Sequence, residues 1–226
     1  MTLALTLFVG ASVTAGLVLW GDRSAAGMSD SVAPCAPAGS AAAGVPGQLD
    51  LQTRVATIGP ASMTLPPDPY ELTQDPRQVP GLFDVLFMAN AAVHERYEVD
   101  EDGANPTWSA TVVLARLSAE VAGAGLEARG RNALDSISTS FFDGRPTELT
   151  EVRAYDSTRS GCTGMLMTAR VGYHVAHLPS RYDVVSVQLV ELTDGSVIVA
   201  VSSVPDDTDP AVAALADAAL QSLVLG

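Results

Sequence analysis

Residues 181–204, RYDVVSVQLVELTDGSVIVAVSSV, have the pattern of two strands joined by a tight turn. Both runs are rich in valine, and Thr193-Asp194-Gly195 between them is a strong hairpin signal. Val197 to Val201 is apolar at every position, whereas a strand with one solvated face alternates apolar and polar residues. The pattern therefore predicts a hairpin whose second strand is central in a sheet and covered on both faces.

More strands are predicted on the N-terminal side of this hairpin, at Ala61–Leu65, Leu82–Tyr97, Trp108–Leu117, Glu148–Tyr155 and Met165–Ala176. The proline-rich stretch Pro66–Gly81 predicts a surface loop with a helical turn at most.

Alternation within the first two long strands assigns their faces. Phe83, Val85 and Phe87 are expected on one face of the first strand. In the second strand, one face is expected to carry Trp108, Ala110, Val112 and Leu114.

Two helices complete the pattern. Apolar residues recur at three- and four-residue spacing from Leu126 to Phe141, and Asp143-Gly144 ends that helix. The second helix is predicted to begin with Asp209 as N-cap and Pro210 at its first position. The order of elements predicts an α+β domain, in which an antiparallel β-sheet has helices packed on its faces.

Residues 2–20, TLALTLFVGASVTAGLVLW, carry no charge. As a helix they would be roughly 28 Å long, close to the hydrocarbon thickness of a bilayer, so they predict a single transmembrane helix. A cleaved secretory signal is the alternative, but its apolar region is normally about 7–15 residues. The length of the run favours a retained anchor.

The segment after this run is rich in alanine, glycine, serine and proline and predicts a flexible tether. We therefore divide the chain into an anchor (1–20), a tether (21–54) and a globular domain (55–226). The tether resembles spacers that carry extracytoplasmic domains through a cell wall. The expected location is the cytoplasmic membrane, with the domain on its extracytoplasmic side.

The net charge of the chain limits the kinds of partner that it can bind. The formal net charge is −14, and all 12 basic residues are arginines. Such a surface repels phosphate backbones, so nucleic acid is not an expected partner. The high Ala, Gly and Val content and the absence of lysine suggest a high-GC genome.

No motif points to catalysis, a cofactor or a metal. The sequence lacks a G-x-S-x-G nucleophile motif, a P-loop and a dinucleotide fingerprint. His174 and His177 are predicted on one strand with opposite orientations, and His94 has no neighbouring ligand cluster. The acidic turn at 100–103 lacks the ligand spacing of an EF-hand. We expect no enzyme, no cofactor and no metal site.

Cys35 and Cys162 are the two cysteines of the chain. In an oxidising compartment an even count is consistent with a disulfide, which would join the tether to the domain. Two separate thiols, with Cys162 packed as a small apolar residue, are the alternative.

Several short segments resemble the Mog1/PsbP-like fold, and in particular actinobacterial LpqN/LpqT-type envelope proteins. The segments are 61–66 ASMTLP, 80–84 PGLFD, 182–185 YDVV, 194–195 DG, 204–207 VPDD and 222–223 SL, within about Ile58–Gly226. The chain lacks the lipobox cysteine of the lipoproteins. The resemblance implies a non-enzymatic envelope module that binds a protein or a cell-wall or lipid component, and it implies no defined site residues.

The first functional hypothesis is thus an interaction module, anchored in the membrane through residues 2–20, that binds or supports an envelope protein complex. The alternative is a carrier or sensor of a lipid or cell-wall precursor in an apolar pocket. The residues considered for its lining are Met63, Phe83, Phe87, Trp108 and Met165, which at strand-face spacing are also typical of a core. A hydrolase is a residual hypothesis without motif support.

Overall fold

The hairpin predicted from residues 181–204 lies inside a large antiparallel sheet. The computed structural model describes residues 47–95, 107–121 and 123–226. The strands are β1 Gln48–Asp50, β2 Val55–Ile58, β3 Ala61–Thr64, β4 Glu71–Leu72, β5 Arg77–Val79, β6 Phe83–Glu95, β7 Thr107–Leu117, β8 Thr147–Arg159, β9 Cys162–Tyr173, β10 Tyr182–Glu191, β11 Val197–Pro205 and β12 Val224–Leu225. The helices are α1 Leu126–Ser140 and α2 Pro210–Gln221.

Two antiparallel sheets are present in the described residues. The larger has the strand order β4-β6-β7-β11-β10-β9-β8, with β5 also paired to β6, and the smaller has the order β1-β2-β3-β12. The prediction of an antiparallel sheet with helices on its faces is confirmed, although the domain is mostly sheet and the second sheet was not predicted. As expected, β11 is an interior strand, and it pairs with β10 and β7.

The larger sheet is buried on both faces against two separate clusters of apolar side chains. The α1-side cluster contains Leu134 and Ile137 of α1 together with Met167, Val187 and Val199 of the sheet. The α2-side cluster contains Leu220 of α2, Met63 of the smaller sheet, and Phe87, Leu114 and Ile198 of the larger sheet. The fold therefore has α1 on one side of the larger sheet, and α2 with the smaller sheet on the other.

A β-bulge changes the face assignment predicted for β6. The register with β7 shifts between Phe83 and Val85. Phe83 consequently packs in the α1-side cluster, whereas Val85 and Phe87 pack in the α2-side cluster. The prediction that these three residues share a face was wrong, because the extra residue of a bulge interrupts the alternation of side chains.

Trp108 also departs from its predicted face. It belongs to the α1-side cluster, whereas Ala110, Val112 and Leu114 belong to the α2-side cluster. The β6–β7 register shifts again between Ala92 and His94, where Trp108 is the partner of His94. The local alternation of β7 could not reveal this irregularity, because it arises from the paired strand.

Local signals at turns and helix ends agree better with the structure. The N-cap is confirmed, since Asp209 Oδ1 accepts a hydrogen bond from the Ala211 backbone N–H at 2.7 Å.

β8 extends further than predicted, to Arg159, and the β8–β9 turn is only Ser160 (φ 50°) and Gly161 (φ 79°). Positive φ at both central residues is the feature of a type I′ hairpin turn.

Short strands are the elements that the sequence did not indicate. β4 and β5 lie within Pro66–Gly81, which was predicted as a loop, and both pair with β6. β1 lies within the last part of the predicted tether, so the smaller sheet begins before Val55. Strands of two or three residues are too short to show periodicity, and they form only because a longer strand offers its edge.

Within residues 47–95, 107–121 and 123–226, no helix has the length and apolar character needed to cross a membrane. The predicted anchor 2–20, most of the tether and the acidic turn at 100–103 lie outside the described residues.

Cys162 is buried in the α2-side cluster and is disulfide-bonded. Cys35, the other cysteine of the sequence, lies outside the described residues, so its pairing with Cys162 stays a prediction.

We predict that Cys35→Ser and Cys162→Ser each lower the free energy of unfolding by about 4 kcal/mol, because either change opens the same long loop of the unfolded chain. The measurement is urea denaturation without reductant. Ser40→Ala, a tether control, should change stability by less than about 0.5 kcal/mol. Two titratable thiols per chain in unreduced, denatured protein would exclude the bridge.

Candidate interaction surface

One face of strands β8, β9 and β10 is only partly covered. Helix α1 packs against the other face of these three strands, while α2 packs against β7 and β11. Tyr155 of β8 is 48% exposed and Val184 of β10 is 43% exposed, although both lie within long, paired strands. The uncovered part forms a continuous surface, which we call the open face. It consists of Glu148, Thr150, Arg153, Tyr155, Leu166, Thr168, Arg170, Gly172, Tyr182, Val184 and Ser186.

The strand registers show why these residues share a face. Tyr155 is paired with Leu166 across β8 and β9. Thr168 is paired with Arg153 on one side and with Ser186 on the other. Directly opposed residues of antiparallel strands point to the same side of the sheet, and alternation along each strand adds the remaining members.

Arg170 is held in place on the open face. Its Nη1 lies 2.7 Å from Oε1 of Glu151, and its guanidinium carbon lies 4.7 Å from the centre of the Tyr182 ring. Glu151 reaches this position because β8 has a register shift between Thr150 and Arg153, and Glu151 itself has a φ of 51°. The side chain of Arg170 is nevertheless 44% exposed.

Arg153 differs from Arg170 in having no ion pair with an acidic residue of the described chain. It is exposed and lies opposite the partly exposed Thr168. The open face therefore presents one arginine that is oriented by neighbours and one that has no acidic partner among the described residues.

The open face ends at Gln188, which is 1% exposed. Its side-chain amide donates to Ser157 Oγ at 2.6 Å and to the Met165 carbonyl at 3.2 Å. Beyond it, Val190 and Cys162 are buried in the α2-side cluster. Burial thus increases along β10 from Val184 towards Val190.

A buried polar network lies on the opposite side of the sheet. Trp108 Nε1 donates to Tyr173 Oη at 3.0 Å, and Tyr173 Oη donates to Asp183 Oδ1 at 2.7 Å. Ser203 Oγ donates to Asp183 Oδ2 at 2.6 Å. Both carboxylate oxygens of Asp183 therefore accept hydrogen bonds, as buried polar groups generally must.

Burial raises the pKa of Asp183 to about 6, although hydrogen bonds from Ser203 and Tyr173 favour the charged form. Burial and the nearby Asp183 carboxylate also raise the pKa of the Tyr173 hydroxyl. A raised carboxyl pKa is a feature of general acids and bases, but it also occurs in structural networks. The hydrogen bonds within this network favour the structural interpretation.

A second polar group connects His94, Asp207 and Ser180. His94 Nε2 lies 2.8 Å from Asp207 Oδ2, and Ser180 Oγ donates to Asp207 Oδ1 at 2.5 Å. A nucleophilic triad requires the histidine between the serine and the carboxylate, whereas here the carboxylate is between them. The arrangement does not activate Ser180 for attack.

The remaining residues considered from the sequence are the histidines, as metal ligands. Strand β9 ends at Tyr173, so His174 and His177 lie in the connection to β10 and not on a strand as predicted. Among the described residues, no three His, Cys, Asp or Glu side chains are grouped as metal ligands.

The five residues considered for an apolar pocket are divided by the larger sheet. Met63 and Phe87 belong to the α2-side cluster, whereas Phe83, Trp108 and Met165 lie in or against the α1-side cluster. All but Met165 are buried. The structure does not bring the five together around one space.

The open face was missed at the level of sequence, although a signal existed. In β8, β9 and β10 one alternating set of residues is mainly apolar, and the other contains glutamate, arginine, tyrosine, serine and threonine. That pattern predicts one solvated face. It does not distinguish an ordinary solvated face from a binding surface.

No protein-family model and no curated protein sequence matches this chain. Among solved structures, the solution structure of cyanobacterial PsbP (CyanoP) from Synechocystis sp. PCC 6803 is similar, with 15% identity, a TM-score of 0.44, and coverage of 82% of this chain and 96% of that one. The Saccharomyces cerevisiae Ran-binding protein Mog1p is also similar, with 16% identity, a TM-score of 0.41, and coverage of 74% and 90%.

These neighbours are a PsbP and a Mog1 protein, the two names of the fold that the sequence resembles. The likeness concerns fold only and carries no argument about activity or partners. The finer resemblance to LpqN/LpqT-type envelope proteins stays a prediction.

We predict that Asp183→Asn removes part of the pH dependence of stability. The folded protein binds the Asp183 proton more tightly than the unfolded chain does. The stability that this proton adds to the folded state is therefore present below about pH 4 and is lost as pH rises through about 6. The variant should therefore gain stability relative to the natural protein between pH 4 and 7, by about 3 kcal/mol at most. Urea denaturation at several pH values measures this difference.

Asp135→Asn, on the exposed side of α1, is the matched control and should show no such change. A pH-independent difference between Asp183→Asn and the natural protein would contradict the prediction.

Proposed function

We propose that this chain is a non-enzymatic, membrane-anchored interaction module that binds or supports an envelope protein complex. The open face carries the proposal, because it exposes Tyr155 and Val184 within long, well-paired strands. Folding alone does not require large apolar side chains at these positions, since the opposite face of the same strands already packs against α1.

The composition of the open face supports binding to a protein. Tyrosine and arginine are enriched at the centres of protein–protein interfaces, where they combine apolar contact with hydrogen bonding. Two tyrosines and two arginines lie among the eleven residues of the open face. Arg170 is already ordered by Glu151 and Tyr182, so binding would cost it little side-chain entropy.

The dimensions of the surface indicate the strength of the contact. Three neighbouring strands span about 10 Å, and the residues from Leu166 to Gly172 of β9 extend about 20 Å. This area is well below the roughly 800 Å² per partner that stable complexes bury. We therefore expect weak, reversible binding through these residues.

The described residues give no support to the two other hypotheses. A carrier pocket lined by the five residues considered above would have to extend through the larger sheet, since Met63 and Phe83 lie on its opposite sides. A hydrolase would need an activated nucleophile, whereas His94 contacts Asp207 and not a serine. We propose neither a carried ligand nor a reaction.

The membrane and extracytoplasmic parts of the proposal rest on residues 2–20 and on the composition of the tether. Confinement to the membrane strengthens the apparent binding of an anchored domain with a weak binding surface, because tethering raises the effective concentration of a partner in the same membrane.

We predict that the full-length chain is recovered in the membrane fraction of its host, and that protease added to intact spheroplasts digests residues 47–226. A cytoplasmic marker protein should remain intact in the same sample. A soluble product shortened near residues 20–30 would indicate a cleaved signal, and protection from protease would contradict the proposed side of the membrane.

We also predict a partner contact at Tyr155. With a photoreactive phenylalanine derivative at Tyr155 of the full-length chain in its host, irradiation should give a discrete protein adduct. The same derivative at Leu51, which is 52% exposed on the turn after β1, is the positional control.

Val184→Glu should reduce the Tyr155 adduct about tenfold, because it places a carboxylate among the apolar contacts. Val224→Glu is the matched control, since Val224 is 50% exposed on the smaller sheet. Equal adducts at Tyr155 and Leu51, or no effect of Val184→Glu, would refute binding at the open face.

A further inference from the structure

We infer that the open face binds the open face of a second copy of this chain, so that the two surfaces pack as the layers of a symmetric β-sandwich. This inference rests on the proposed function, and it names the partner of the same surface.

The charges of the open face are balanced, although those of the whole chain are not. The chain has 12 arginines and 26 acidic residues. The open face carries Arg153, Arg170 and Glu148, and Glu151 contacts Arg170 from the bulge of β8. Two arginines therefore meet two carboxylates here. Such a surface favours neither an acidic nor a basic partner, whereas it suits a copy of itself when symmetry brings the opposite charges together.

Two of these charged groups have no partner and lie in different rows of the surface. Glu148 and Arg153 form no ion pair and no side-chain hydrogen bond with any other described residue. Glu148 is opposite Gly172 of β9, and Arg153 is opposite Thr168. These rows are four residues of β9 apart, about 13 Å, so the two charges are largely screened from each other within one copy. Each charge is available to a second copy.

The β-bulge of β8 puts both side chains on the same face. Glu148 and Arg153 are five positions apart, and an odd separation in a regular strand gives opposite faces. The register shift between Thr150 and Arg153 adds one residue to β8, so both side chains point to the open face. The open face is consequently negative at the Glu148 row and positive at the Arg153 row.

A two-fold axis across the strands brings each glutamate to an arginine. The row of Thr150, Arg170 and Val184 lies midway between the Glu148 row and the Arg153 row. Rotation about an axis along this middle row reverses the strand direction and exchanges the two outer rows. Arg153 of each copy then faces Glu148 of the other, across the spacing of about 10 Å that separates packed sheets.

The uncharged side chains fit the same arrangement. The exchange of outer rows places Tyr182 opposite the smaller Ser186 of the second copy, and Thr168 opposite Gly172. Large residues opposite small ones allow two layers to interdigitate. In the middle row Val184, which is 43% exposed, faces its own copy and is removed from water.

Arg170 also faces its own copy across the axis. Each Arg170 guanidinium is paired with Glu151 of its own chain at 2.7 Å, so the middle row stays neutral and its two arginines can alternate with its two glutamates. The axis therefore places no unpaired like charges against each other.

The contact is expected to be weak and dependent on concentration. The open face is well below the roughly 800 Å² per partner that stable complexes bury. Two chains of net charge −14 also repel each other, although exposed charges are screened beyond about 8 Å at physiological ionic strength. Confinement of both copies to one membrane would raise their effective concentration and favour pairing.

The experiment mixes two forms of the full-length chain, with different affinity tags, in mild detergent. The first form carries the photoreactive derivative at Tyr155, one row beyond Arg153 at the border of the contact. After irradiation, the yield of adducts that carry both tags is measured. This yield should rise with the ratio of protein to detergent.

Charge exchange between positions 148 and 153 tests the symmetry. Arg153→Glu in both forms should lower the yield about tenfold, because two contacts between opposite charges become contacts between like charges. Glu148→Arg in both forms should have the same effect. Arg153→Glu in one form mixed with Glu148→Arg in the other should restore the yield, because every contact again joins opposite charges. Arg77→Glu, on exposed β5, is the matched control and should leave the yield unaltered.

Three results would overturn the inference. Absence of adducts with both tags at every ratio would exclude pairing of two copies at this surface. Adducts whose yield neither single variant lowers would place the association elsewhere, for example at residues 2–20. Failure of the mixed variants to restore the yield would show that position 153 does not face position 148 of the second copy.

The two proposals can fail separately. A Tyr155 adduct in the host that contains a different protein, together with no adduct between purified copies, would contradict the inference and leave the interaction module intact. Absence of any Tyr155-specific adduct in the host would refute the proposed function, whatever the purified chain shows.

Discussion

Burial of β11 on both faces is the constraint on which the rest of the architecture depends. Every residue from Val197 to Ser203 is buried, so neither face of this strand is left to solvent. Full burial of a valine or isoleucine side chain contributes about 1.5–3 kcal/mol, and a strand with such residues on both faces is stable only between two covering layers. The α1-side cluster and the α2-side cluster provide these layers.

The two layers are laterally offset, and this offset produces the open face. Helix α1 packs on β8, β9 and β10, whereas α2 packs on β7 and β11, and β2 of the smaller sheet packs on β7. The α2-side layer therefore ends before it reaches the middle of β9. At that place the sequence has Tyr155, Arg153 and Arg170 rather than the small polar residues of an ordinary solvated strand.

Strand β10 connects the interior with the open face. Tyr182 stacks under Arg170 on the open face, and the next residue, Asp183, accepts hydrogen bonds in the buried network. The network residues Trp108, Ser203, Asp183 and Tyr173 belong to β7, β11, β10 and β9, which are consecutive strands of the sheet. A one-residue slip of any of these strands would leave the Asp183 charge buried without its hydrogen bonds, so the network opposes register errors.

The sequence by itself determined the elements whose signals are local. The β10–β11 hairpin, the two helices and the Asp209 N-cap follow from periodicity, a turn motif and a capping residue, each of which acts within a few positions. Only the tertiary structure decided which faces meet. The bulge that moves Phe83 away from Phe87, the short strands that pair with β6, and the offset that exposes Tyr155 all arise between segments distant in sequence. The alternation of residues along one strand shows that the strand has two different faces. It does not show what covers each face, because the covering layers come from other parts of the chain.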